Sequence, residues 1–190
     1  MTGRTHDLAA FTALSLVILN TPLPPISLAT GLCALGANFI GGLAPDLDQP
    51  TADLWRRLPA GSVIGRLVSP IMGSHRFISH SILGVVLFGF VLNALLKWMG
   101  TFVLVDMGLV WSAFMIGFVS HLIMDTLTRD GVPWFFPIPV RLGFPPISAL
   151  RMKTGGYLEK YVVFPGLLIF NGYWFSHHYH FYVEFLRRFF

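Results

Sequence analysis

Five apolar runs, each bounded by proline, glycine or charge, divide the chain. Residues 7–20 are stopped by Pro22, Pro24 and Pro25, and residues 26–44 by Pro45. Residues 82–96 end at Lys97. Residues 101–122 carry Asp106 near their start and close on the polar pair His121 and Asp125. Residues 161–175 contain Pro165, which predicts a kink there. The runs approach or reach the roughly 20 residues that a helix needs to cross hydrocarbon. Trp98, Tyr161, Tyr173 and Trp174 lie near run ends, where aromatic side chains collect at membrane interfaces. The pattern predicts an all-α fold: a polytopic membrane helical bundle of about five embedded helices, with residues 1–190 as one domain.

Composition strengthens that reading. Hydrophobic residues make up 54% of the chain and charged residues 12%, against roughly 25% charged in an average soluble domain. So little charge would leave a water-soluble surface with large apolar patches. Cys33 is the only cysteine, which excludes an internal disulfide and cysteine-rich zinc knuckles. The start MTGRTHDLAAF is expected to be retained, because no A-x-A-like cleavage site follows in TPLPPIS. The formal net charge is +4. In a membrane chain the basic residues set topology, so no nucleic acid partner is expected. If five crossings alternate, one side receives Arg4, Arg56, Arg57, Arg66, Arg76, Arg129, Arg141, Arg151, Lys153 and Lys160. The other side holds Lys97, Arg187 and Arg188. That imbalance makes the first side cytoplasmic.

The same alternation, with charge bias unused, brings His6, Asp46, Asp48, His75, His80, His121, Asp125 and Glu159 to that one side. His121 and Asp125 are four apart, so a helix places both on one face. Asp46 and Asp48, in PDLD, point the same way if the segment is extended, and two close carboxylates need a shared cation or proton. His75 and His80 lie in SHRFISHS and are candidates for ligand or acid–base work. Arg76 between them cannot ligate a metal, since guanidinium has no acceptor, but it suits a phosphate or carboxylate. Ser79 and Ser81 can orient an imidazole or cap a helix. Glu159 is either a helix-start acid or a late carboxylate ligand. His6 gains meaning only from sharing this side. His177, His178 and His180 fall on the opposite side, in an aromatic interfacial segment. Residues 54–72 alternate basic and apolar groups and are expected at the membrane interface. Residues 131–156, apolar yet rich in Pro and Gly, read as a re-entrant or surface-hugging loop near the site.

Mixed imidazole and carboxylate ligands favour zinc, with manganese the alternative, and disfavour an all-oxygen magnesium or calcium site. A cluster of this kind activates water and neutralises phosphoryl oxygens. Arg76, Arg56 and Arg57 around a lipid-facing mouth suit an anionic amphiphile, with membrane lipids as partners. A metal or proton transporter is the competing class. It would want ionisable groups through the bilayer, and the run middles nearly lack them. A membrane hydrolase of a non-phosphate bond and a non-catalytic scaffold are further alternatives.

The order His6, PDLD at 45–48, HRFISHS at 75–81 and SHLIMDTLTRDGVPWFFP at 120–137 resembles the YdjM-like membrane-bound metal-dependent hydrolases over nearly the whole chain. That resemblance implies an integral inner-membrane hydrolase. A more distant likeness is to the all-helical zinc phospholipase C and P1-type nuclease group, which holds three zinc ions and cleaves phosphoesters. It implies that His121 and Asp125 match the H-x-x-x-D pair, Asp46 the bridging aspartate and Glu159 the late acid. The chain departs from that group in starting with methionine rather than tryptophan, and in Gly155 four residues before Glu159. The expectation is one to three divalent ions, with one or two favoured by these departures. Together these readings predict hydrolysis of a lipid or lipid-linked phosphoester at the cytoplasmic membrane face.

Overall fold

The computed structural model describes residues 1–22, 24–72 and 78–187. Helix α1 spans Gly3–Asn20 and α2 spans Leu28–Leu43. The Ser27 hydroxyl starts α2 by accepting from the Thr30 amide at 3.1 Å. A tight 3-10 turn, Ala44–Asp48, follows α2, with Pro45 in its first turn. Short α3 (Asp53–Arg57) and α4 (Gly61–Met72) come next, then α5 (Ile82–Met99), opened by the Ser81 hydroxyl on the Gly84 amide. Helix α6 spans Met107–Thr126. Asp106 stands outside it as its cap, accepting from the amides of Gly108 at 2.9 Å and Leu109 at 3.1 Å. A wide turn over Glu159–Val163 leads into α7 (Phe164–His177), and α8 spans Tyr179–Arg187. Pro165, which has no N–H to donate, opens α7 where the wide turn ends, so the expected irregularity lies at the head of that helix.

Among the described residues, three segments are long and apolar enough to cross a membrane: Leu28–Asp48, Ile82–Met99 and Met107–Thr126. The first and fifth runs are also helical, but α1, at 18 residues, and α7, at 14, are not among these candidates. Helix α1 packs on α2 and α6, and α7 packs on α1. A polar clasp joins α7 to α1, because Asn171 Nδ2 donates to Thr12 Oγ1 at 2.7 Å. Helix α5 contacts α6 and otherwise presents Val86, Leu87, Phe90 and Val91 outward, a surface suited to hydrocarbon.

Among the described residues the α2–α6 contact is the most extensive in the bundle, and glycine lets the two backbones approach closely. A Cβ on Gly41 would lie 2.1 Å from the Phe114 carbonyl oxygen, and one on Gly117 would lie 2.1 Å from that of Asn38. Backbones approach this closely only where side chains are missing. The Asn38 amide then reaches the Ala113 carbonyl at 3.0 Å. Phe114, Phe118, Leu122, Ala44 and Val132 form the apolar core beside this contact.

Direction alternates along the bundle. At one end the Asp106 amide donates to Thr30 Oγ1 at 3.1 Å, joining the starts of α6 and α2. At the other end lie the start of α1, the end of α2, the start of α5, the end of α6 and the turn at Glu159. The segment between α6 and α7 folds back on that end. The Arg129 amide donates to the Met152 carbonyl and the Met152 amide to that of Leu127, and Val132 and Leu142 bond each other. Among the described residues no strand forms beyond isolated bridges at these positions.

Candidate metal centre

His121 lies one turn beyond Gly117 on α6. The close glycine contact brings the Gly42 carbonyl to 2.7 Å from its Nδ1. A carbonyl only accepts, so Nδ1 carries the proton and the lone pair sits on Nε2. Among the described residues that Nε2 has no hydrogen-bond partner, though it is fully buried. Asp125, one turn further, faces the same way. His6 from α1 stacks on His121 with ring centroids 3.6 Å apart, and His80 meets the same ring edge-on at 5.3 Å. Asp46, on the turn after α2, completes the group. Trp55 on α3 holds that turn through Nε1 to the Leu47 carbonyl at 3.1 Å, midway between Asp46 and Asp48.

The ligand atoms converge. His80 Nε2 is 3.4 Å from Asp46 Oδ1 and 3.9 Å from Asp125 Oδ2. His121 Nε2 is 3.6 Å from Asp46 Oδ1 and 3.8 Å from Asp125 Oδ2. His6 Nε2 is 3.3 Å from Asp125 Oδ1, an oxygen that the Met1 amino group also contacts. Metal–ligand bonds of about 2.0–2.2 Å to nitrogen and oxygen place tetrahedral neighbours roughly 3.3–3.6 Å apart, close to these separations. Among the described residues, two overlapping groups have metal-ligand spacing: His6, Asp46 and His121, and His80, His121 and Asp125. They share His121, whose Nε2 has one lone pair to give. They are therefore not two independent centres, and any second ion would be joined to the first through a carboxylate.

Charge and burial fit a divalent cation. The two carboxylates carry a formal −2, the Met1 amino group on Asp125 offsets part of it, and a divalent ion would compensate the remainder, since burial without compensation is costly. Burial pushes the His80 imidazole below its usual value, and the nearby Asp46 carboxylate only partly offsets this. Its ring is thus neutral at pH 7 and able to donate a lone pair. Asp46 is 27% exposed, whereas the side chains of His80 and Asp125 are at most 1% exposed. The mouth of the centre is therefore at Asp46.

Not every expected ligand joins this group. Asp48 accepts from Ser79 Oγ at 3.0 Å, and the same hydroxyl is 3.0 Å from His80 Nδ1. The hydroxyl has one proton, directed to Asp48, so His80 Nδ1 is the donor and its Nε2 faces the carboxylates. Asp48 thus acts through Ser79 on His80 and stands in neither metal group. Glu159 is also outside both groups. Its Oε1 accepts from the Thr2 amide at 2.6 Å, Thr2 Oγ1 at 2.7 Å and Thr5 Oγ1 at 2.7 Å, and its Oε2 from the Gly155 amide at 2.7 Å. Burial alone would raise its pKa, but these donors outweigh it and hold the carboxylate below its usual range. Glu159 anchors the start of α1, and so the placement of His6, to the head of α7. His75 and Arg76 lie outside the described residues. His177, His178 and His180 are in neither group.

The sequence reading missed Gly42, Gly117, Thr2 and Thr5. The paired glycines at the end of α2 are a usable signal for close helix packing. The two threonines carry none, because their role depends on a carboxylate more than 150 positions away.

Comparison with known proteins places the chain. The family model described as YdjM inner membrane protein matches residues 1–178. The chain is 29% identical to YvsG of Bacillus subtilis (strain 168) over 175 residues, covering 92% of this chain and 94% of that protein. It is 31% identical to the inner membrane protein YdjM of Escherichia coli (strain K12) over 122 residues, covering 63% of this chain and 56% of that protein. No solved structure matches.

Proposed function

We propose, for a chain that belongs to the YdjM inner membrane protein family, a metal-dependent hydrolase acting on a lipid or lipid-linked phosphoester at the cytoplasmic membrane face. The observation that carries this reading is the buried convergence of His6, Asp46, His80, His121 and Asp125, drawn from four separate parts of the chain, with one carboxylate open to the outside. A divalent ion held there, zinc by the mixture of ligands, would acidify a water and neutralise phosphoryl oxygens. The chain's own residues do the rest. His121 and His80 are each fixed in the tautomer that offers Nε2, and Asp46 guards the approach. Arg76, next along the chain from the expected site residue His75, is the group chosen for the substrate anion, since guanidinium binds phosphate in a bidentate manner. A cytoplasmic orientation is supported by the excess of Lys and Arg in the segments joined to this end of the bundle.

The test is direct. Detergent-purified protein loaded with zinc or manganese is offered phosphatidic acid, phosphatidylglycerol and a polyisoprenyl phosphate, and released phosphate and headgroup are measured. Turnover that disappears in Asp46→Asn is expected. Stoichiometric metal without cleavage of any of these lipids would overturn the phosphoesterase reading and leave the metal centre standing.

A further inference from the structure

The segment joining α6 to α7 is held tightly yet shows its apolar side chains outward. Its root is buried: Val132 lies in the core with Ala44, and the Trp134 carbonyl accepts from the Ile82 amide at 3.0 Å, two residues past His80. Trp134 Nε1 donates to Thr126 Oγ1 at 3.1 Å, and the Phe144 amide to the Thr126 carbonyl at 2.8 Å. Arg151 ties the returning segment through Nε to the Pro145 carbonyl at 2.7 Å and through Nη2 to that of Pro146 at 2.8 Å. A segment bonded this closely would be expected to fold its large apolar groups inward. Instead Phe135, Ile138, Val140, Phe144, Ile147 and Leu150 are exposed, Phe144 by 65%. Large exposed apolar groups gathered on one well-bonded loop mark a surface meant to be covered.

Charge and position say by what. Residues 131–160 contain Arg141, Arg151, Lys153 and Lys160, and their one acid, Glu159, is buried on backbone and hydroxyl donors. Both ends of the loop join helices of the bundle at the metal-centre end. Basic groups among exposed apolar ones, at the end of membrane-crossing helices, match the headgroup region of an anionic leaflet.

We propose that the loop at 133–158 is an interfacial docking element that inserts Phe144, Ile147 and their neighbours into the same leaflet the bundle enters, and so holds the Asp46 mouth at headgroup depth. The substrate would then enter sideways from the leaflet, as an amphiphile whose phosphoester lies at the interface. The docking stands by itself, and the entry route rests on the hydrolase reading above.

Spin-label accessibility separates the two. Cys33→Ser removes the only cysteine, and a nitroxide is placed by Phe144→Cys or, as a polar control on the same loop, Thr154→Cys. The full chain is reconstituted in phosphatidylcholine–phosphatidylglycerol vesicles. At position 144 collisions with oxygen should exceed those with a soluble nickel chelate several-fold, and position 154 should show the reverse. Equal chelate access at the two positions would overturn the docking. So would shielding from both reagents with spin–spin broadening, which would mean that a second copy of the chain covers the patch. In a second measurement, the double variant Phe144→Ser, Ile147→Ser should lose several-fold turnover of a vesicle-embedded phosphoester and keep that of a short, water-soluble one. Equal loss on both would overturn lateral entry while leaving the docking result in place.

Discussion

The chain carries two trios of histidine, and their fates differ. His6, His80 and His121 come from three helix ends far apart in sequence, are fully buried, and stack or meet edge-on around Asp46 and Asp125. His177, His178 and His180 are neighbours in sequence, yet they remain exposed or half-buried and spend their rings on aromatic contacts. His177 stacks on Tyr173, His178 lies 4.3 Å from Trp174, and His180 meets Tyr179. Closeness in sequence is therefore a poor guide to a metal site. What distinguishes the first trio is the carboxylates and the burial, which together make a cation worth more than water.

The largest expected effect breaks this contrast at its centre. Asp125→Asn removes the carboxylate whose two oxygens face His6 on one side and His80 and His121 on the other. Bound metal, measured by mass spectrometry of purified protein, should fall from stoichiometric to background, while the protein still inserts. Replacing His177, His178 and His180 together by Ala should leave the metal content unchanged. Loss of metal from the triple variant with retention in Asp125→Asn would reverse the assignment of the two trios.

Much of this arrangement is legible in the sequence. Alternation of apolar runs brings the polar breaks to one end, and the i, i+4 spacing puts His121 and Asp125 on one face. The structure brings His6, Asp46, His80, His121 and Asp125 together accordingly. Depth in the site was not legible. Asp46 and Asp48 are two apart and look equivalent as letters, but the segment is a 3-10 turn rather than extended chain. Such a turn advances roughly three residues per revolution, so the two carboxylates diverge, one to the centre and the other to Ser79. Glu159 looked like a ligand because it shares the same end. Local donors that no periodicity reveals claim both of its oxygens instead. The run boundaries predict about five embedded helices. Among the described residues, hydropathy and length single out three helices able to span, and α1 and α7 pack against that bundle.

The next effect tests whether the bundle's tight seam makes the buried trio what it is. Gly117→Ala places a methyl about where the Asn38 carbonyl oxygen already stands, 2.1 Å away. Forcing α2 and α6 apart should cost on the order of 1–3 kcal/mol, as overpacking does. It should also pull Gly42 from His121 Nδ1. Lower thermal stability in detergent together with weaker metal retention is expected. Gly172→Ala on α7, where a Cβ would meet nothing within 4 Å, should change neither. Wild-type stability in Gly117→Ala would mean that the seam has room that the geometry denies.

The smallest effect sharpens the comparison to one hydroxyl. His178, in the exposed trio, also has an oriented ring: its Nδ1 is 3.0 Å from the Trp174 carbonyl. Orientation alone therefore does not make a ligand. In the buried trio the equivalent job for His80 falls to Ser79, which passes the influence of Asp48 to Nδ1 and leaves Nε2 aimed at Asp46. Ser79→Ala keeps every candidate ligand and removes only this relay, so the ring can adopt the other tautomer or turn. Loss of such outer partners typically weakens metal binding by about 10–100-fold. Competition with a fluorescent chelator should show a weakening of that order at unchanged stoichiometry, with the thermal stability of the metal-free protein nearly preserved. Asp48→Asn should weaken binding in the same direction, and combining the two should add less than the sum, because both act through one imidazole. Full additivity, or metal affinity unmoved by Ser79→Ala, would place the control of His80 elsewhere.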